Sequence, residues 1–388
     1  MIFKHFFKHF LFLPFTFLLL AIPYQSCRYD VQEEIDERIT LIRYSFPETQ
    51  TEQEFIDGMA WLFSYLGAEL PKEKFSSALT VSGNKIFVKL ELLGFEESAL
   101  TALRIISSKL KNTEEYTLKE GIDAGRFFAI CFNSSNNYYK ITGVEKSFIG
   151  LLSKYSAFTK KQFACDSSSI SKEARLIEYS FEGQDVLKNY FVSYEGKGFF
   201  SSNNFIQANS TEVFDFMKNG QPRFMIYDEQ GKLKTSSNPF FSNAGKPAKC
   251  MWCHESGIQP LFRETPDIAG YISKEEFLND RNLASEKLEM FHAASNSYIK
   301  YSDKKVHTQA EYIYLSYYEP NAKRLAMEWN VSESKVLDLL SGIATHTNPE
   351  FPFLKNVYHR REVENFSPIK SLPAASDARE SSVFEPEY

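Results

Sequence analysis

Cys250, Met251, Trp252, Cys253 and His254 bring two thiols and an imidazole into one short stretch of the chain. Thiols three apart fall on one side of a helical turn. There they can form thioethers to the two vinyl groups of a haem while the histidine behind them ligates the iron, the chemistry that C-x-x-C-H spacing serves. A zinc site needs two further ligands, and the consecutive Cys253 and His254 are awkwardly placed for one tetrahedral ion. A dithiol redox centre belongs at the end of a strand inside a βαβ unit, whereas the preceding "SSNPFFSNAGKPAK" reads as loop. The expectation is one covalently held haem c, with its iron, per chain. Zinc binding and thiol redox chemistry stand behind it.

The stretch from Lys249 to Phe262, with "CHESGIQPLF" following the first thiol, resembles the single-haem domain of c-type cytochromes joined to other domains in bacterial surface or periplasmic lipoproteins. That resemblance implies that Pro260 presents its carbonyl to the free ring nitrogen of His254, fixing the tautomer. It also implies a methionine some tens of residues downstream as sixth iron ligand, and Met290 and Met327 are the candidates. Read from the residues, Met290 between Leu288 and Phe291 is equally a flexible core filler, and Met327 sits inside a predicted helix. His292 and His307 are further candidates, although a lone histidine is more often hydrogen bonded or solvated. An open sixth position would point to ligand binding or sensing. The resemblance does not extend into the first 240 residues.

The elements that must position this motif read as α+β. Thr51 and Glu54 form a capping box ahead of Phe55, Met59, Leu62, Phe63 and Leu66, which share a helical face, and Gly67 ends that helix. "ALTVSGNKIFVKLELLGF" reads as a hairpin turning at Gly83 and Asn84, with a helix from about Glu97 to Leu110 after it. "GRFFAICFNSSNNYYKITG" reads as two further strands around a polar turn. Gly121 and Gly125 match neither common phosphate-loop fingerprint and suit a tight turn. A β-rich segment follows, with a hairpin at Asn219-Gly220 and Pro222 confined to a sheet edge. Beyond Pro239 helices take over: Ser273 with Glu276 and Thr308 with Glu311 predict helix starts, and Pro320 another. Arg324–Gly342 has helix-turn-helix spacing, but Glu333 and Asp338 on its second helix suit a packed helical hairpin better than a DNA reader. The divisions are an export segment 1–27, an α+β domain 28–165, a β-rich segment 166–240, a helical monohaem domain 241–365 and a flexible tail 366–388 of little apolar content.

Charge and export signals bear on compartment. With 44 basic against 50 acidic side chains the net charge is −6, and no basic block marks a nucleic-acid partner. Lys4 and Lys8 precede the uncharged core "FLFLPFTFLLLAI", too short to span a bilayer, and "PYQSC" ends at Cys27. This resembles a bacterial lipobox whose cysteine is acylated, although Tyr24 stands where that pattern prefers leucine. The expected location is the periplasm or outer surface, with a lipid anchor in the membrane and redox proteins as partners. Haem attachment also happens outside the cytoplasm, so the two independent features agree. Cys131 and Cys165 are left to pair as a disulfide in that oxidising compartment, or to stay inert thiols. Neither paired catalytic carboxylates nor a Ser/His/Asp order can be made out, so an electron carrier is expected ahead of an enzyme. The competing class is a surface binding lipoprotein in which the haem is a sensor.

Overall fold

The computed structural model describes residues 38–44, 50–166, 168, 171, 174–181, 185–195, 208–259, 266–380 and 385; Cys27 with its export segment, and Pro260, lie outside them. Strand β1 (Arg38–Ile42) leads into helix α1 (Glu52–Tyr65), which begins at Thr51 with the expected box: the Thr51 N–H donates to Glu54 Oε2 at 2.7 Å and the Glu54 N–H to Thr51 Oγ1 at 3.2 Å. Phe55, Met59, Leu62, Phe63 and Leu66 are all buried, and Gly67 leaves the helix at φ +96°. Helix α2 (Lys72–Ala78) feeds the hairpin of β2 (Leu79–Ser82) and β3 (Lys85–Lys89), then come α3 (Glu97–Lys111), α4 (Glu114–Lys119) and β4 (Ile122–Asp123). These strands form a sheet in the order β2-β3-β1-β4, with β4 parallel to β1 and the other pairs antiparallel.

Where two strands are expected around Cys131, the chain is helical: α5 (Ala124–Phe128), a π-turn (Ala129–Asn133) and α6 (Ser135–Ile141). Phe127, Phe128 and Phe132 are buried on every side of this turn, and an apolar run without periodicity does not separate strand from buried helix. Capping decides it, since Asp123 accepts from the Gly125 N–H at 2.8 Å and Ser134 from the Asn137 N–H at 3.3 Å.

After α7 (Phe148–Lys154) the chain builds an antiparallel meander of β5 (Lys161–Cys165), β6 (Arg175–Ser180), β7 (Tyr190–Glu195), β8 (Ser210–Phe216) and β9 (Pro222–Tyr227), in that spatial order. Asn219 and Gly220 make the β8–β9 turn, Gly220 at φ +80°, and Pro222 lies on edge strand β9 as expected. Alternation gives the sheet two faces. Tyr190, Val192, Val213, Met225 and Tyr227 turn toward the N-terminal helices, where Tyr155 stacks on Tyr190 with ring centroids 4.4 Å apart. Phe163, Tyr179, Phe191, Phe214, Phe216 and Phe224 turn the other way.

Helices α8 (Pro247–His254) and α9 (Lys274–Ala294) cover that second face; Phe277 of α9 stacks on Phe163 at 4.7 Å. Then come α10 (Lys304–Tyr318), α11 (Ala322–Trp329), α12 (Glu333–Leu339) and α13 (Arg360–Val363). Ser273 caps α9 as predicted, but Asp303 and not Thr308 caps α10; Thr308 lies a turn inside and its hydroxyl donates to the Lys304 carbonyl at 3.3 Å. Helices α11 and α12 form the expected helical hairpin around Asn330 at φ 55°, burying Trp329, Val336 and Leu340. The described residues all belong to one compact unit, Glu37–Tyr388, and its largest hydrophobic cluster draws on α1, α5, β7, β9, α8 and α10. Residues 367–380, part of the stretch whose composition reads as a flexible tail, instead pack in part against this core. Ala375, Asp377 and Ala378 are buried, and the carbonyls of Leu372 and Ala375 accept from Arg126 at 3.0 Å and Tyr318 at 2.8 Å.

Candidate functional site

The C-x-x-C-H residues occupy the last turns of α8. Gly245 at φ +65° and Pro247 in the first turn start the helix. Lys246 anchors this start from inside, its ammonium donating to the Asn133 carbonyl at 3.1 Å and pairing with Glu385 at 3.4 Å. Glu255 ends the helix directly behind His254 at φ 50°, an unusual conformation for a residue with a side chain. It is held by an ion pair to Lys304 and by the Gly257 N–H bonding the His254 carbonyl at 3.0 Å.

Helical spacing sorts the five side chains. Ala248 and Met251 are fully buried in the main core. Trp252 is partly buried and packs among Tyr314, His307, Phe132 and Tyr65, with centroids 4.8, 5.8, 6.0 and 6.1 Å away. Cys250 and His254, one turn apart, line an apolar crevice against the second face of the meander, closed by Phe191, Phe214, Phe224 and Phe277. Cys253 is exposed beside Lys249 and Arg379. The His254 ring lies 5.4 Å from that of Phe214 and 5.3 Å from that of Phe224. Its Nδ1 is buried without a hydrogen-bond partner, and burial pushes the imidazole down to about 4, leaving it neutral at neutral pH.

At one end of the crevice Arg175 pairs with Glu195 and, at 2.9 Å, with Glu212, which also accepts from the Ser242 hydroxyl at 3.0 Å. Burial and the neighbouring Glu195 push Glu212 up to about 7 against the pull of Arg175. Burial also raises both motif thiols, Cys250 with help from Glu212, and Cys253 despite Lys249 and Arg379. A reactive dithiol needs the reverse, a thiol stabilised as thiolate.

The expected sixth ligands do not reach this crevice. Helix α9 turns Phe277, Ala284 and Leu288 to the sheet, so Met290 points away and is 71% exposed. Met327 is 40% exposed on α11, by a separate hydrophobic cluster. His292 bonds the Gly220 carbonyl at 3.1 Å and stacks on Tyr301 at 3.9 Å, while His307 sits edge-on to Trp61 and Tyr65. Cys131 and Cys165 are separate thiols: the first is sealed in the main core and the second belongs to the cluster under α9.

Donor types, spacing and apolar walls suit a haem, and the orphaned imidazole nitrogen is the kind of group such a cofactor satisfies. The crevice encloses about 100 Å³, below the ~300–1,000 Å³ of small-molecule pockets, and Cys253 faces solvent and does not line it. Phe214, Phe224, Glu212, Arg175 and Arg281 were not foreseeable as site residues. Strand alternation groups Glu212 with Phe214, but which helix covers them is a long-range matter. Comparison of the chain with protein-family models, with curated proteins and with solved structures finds no match.

Proposed function

We propose that this protein carries one covalent haem c and transfers electrons through it, with Cys250 and Cys253 as thioether sites and His254 as the axial iron ligand. The observation that carries the reading is the His254 imidazole: neutral, lodged between Phe214 and Phe224, with an unpartnered nitrogen, one turn from Cys250. The haem supplies one-electron iron chemistry. The chain's part is to hold the thiols in helical register, keep the imidazole unprotonated and exclude water with its phenyl rings. We further propose export through the segment ending at Cys27, with a lipid anchor there and redox proteins of the periplasm or outer surface as partners. A second reading, a haem sensor with an open sixth position, is favoured by the placement of Met290, Met327, His292 and His307 away from the crevice.

The test is periplasmic expression with cytochrome c maturation factors, followed by a pyridine haemochrome spectrum and a haem-stained denaturing gel. A covalent band lost in Cys250→Ala/Cys253→Ala supports the cytochrome reading; a colourless chain defeats it. Carbon monoxide then separates the two readings, since rapid uptake by ferrous protein marks the open position and refusal marks a six-coordinate electron carrier.

A further inference from the structure

Beside the crevice lies a larger groove, of about 740 Å³, between α9, the 295–304 connection and the residues just after α8. Its volume falls in the range of small-molecule pockets, ~300–1,000 Å³. Lys72, Arg281 and Lys300 line it without an ion pair among the described residues, against one lining carboxylate, Glu289; Lys304 is already neutralised by Glu255. Arg281 is the pivot. It lines both cavities, and its Nε is buried with no hydrogen-bond partner, an expensive state for a guanidinium unless an acceptor arrives. Serine hydroxyls of Ser285 and Ser302 add donors around it.

We infer that this groove binds carboxylate groups, with Arg281 receiving one in its guanidinium fork and Lys300 and Lys72 supplying the surrounding positive field. Two sources share that chemistry: a free small dicarboxylate, and, resting on the proposed haem reading, the carboxylates of the macrocycle reaching past Arg281 from the crevice. The groove does not need the haem to bind, so the inference is tested on both forms of the full chain.

The measurement is calorimetric titration with succinate at low ionic strength, on colourless protein made without maturation factors and on pigmented protein whose haem content is read separately by absorbance. Saturable binding by the colourless form is expected, weakened at least tenfold by Arg281→Gln and also reduced by Lys300→Gln, an exposed change on which folding does not depend. Binding by both forms assigns the groove to a free ligand. Binding by the colourless form alone assigns it to the haem's own carboxylates. Absence of saturable heat in the colourless form overturns the inference, whatever the pigmented form shows. So does an equal loss from Lys74→Gln, a nearby lysine outside the groove, because the attraction is then only general surface charge.

Discussion

Gly58 and Gly125 show how much depends on single atoms. A Cβ on Gly125 would stand 2.5 Å from Tyr317 Cβ and 3.1 Å from the Ile313 carbonyl, and one on Gly58 would stand 2.8 Å from the Gln309 carbonyl group. Both glycines thus let a helix, α5 or α1, approach α10 at backbone distance. Alanine favours helices over glycine by about 1 kcal/mol, but overpacking costs ~1–3 kcal/mol and more when backbone must move. Gly125→Ala should therefore lower the urea midpoint at unchanged slope, and a midpoint equal to that of the wild type would refute the close crossing. At the site itself the same scale separates Cys250, facing the crevice, from Cys253, facing solvent, although sequence spacing alone treats them alike.

Between elements, buried charge replaces hydrocarbon. Arg126, Arg324 and Arg360 interleave with Glu115, Asp123, Glu328 and Glu364, joining α4, β4, α5, α11 and α13. Arg360 grips both Glu328 oxygens at 2.7 and 2.8 Å. Burial alone would raise the Glu328 carboxyl, but Arg360, Arg324 and Arg126 outweigh it and hold it at about 2, below its ordinary 4.5. A depressed carboxylate contributes stability that is fully present above 4.5 and is lost as pH falls through about 2. Glu115 runs the other way, since burial raises it more than Arg126 lowers it, and it takes up a proton earlier on acidification. Glu328→Gln should cost ~3–5 kcal/mol at pH 7 by stranding buried arginines. Its deficit should shrink toward pH 2, which urea unfolding at pH 7, 4 and 3 will measure. A deficit constant with pH would show that the carboxylate's charge is not what matters.

For the molecule as a whole, the C-terminal segment is a structural member. Asp377 accepts from the Tyr314 hydroxyl at 3.0 Å, the Ser376 carbonyl from Asn133 at 3.3 Å, and Glu385 pairs with the Lys246 that starts α8. Deleting residues 367–388 leaves these buried groups unpaired. A loss of about 3 kcal/mol is expected, roughly 4 °C in melting temperature for a unit of this size, read by calorimetry. An unchanged melting temperature would mean the segment contributes nothing. The same deletion loosens α8 at its first turn, so the haem-stained band expected at Cys250 and Cys253 should weaken with it.

The sequence by itself determined what is settled within a few residues. The Thr51–Glu54 box, the Gly83-Asn84 and Asn219-Gly220 turns, the α11–α12 hairpin and the C-x-x-C-H register on one helix all rest on hydrogen bonds and backbone angles that neighbours satisfy. Tertiary structure decided the rest. It folded the aromatic run around Cys131 into a π-turn, separated Cys131 from Cys165, turned Met290 outward and drew Ala375, Asp377 and Ala378 into the core. It also set Phe214 and Phe224 around His254 and placed Arg281 between two cavities. These outcomes depend on which distant surfaces close on one another, and a short apolar or polar run is compatible with several partners until the whole packing chooses one.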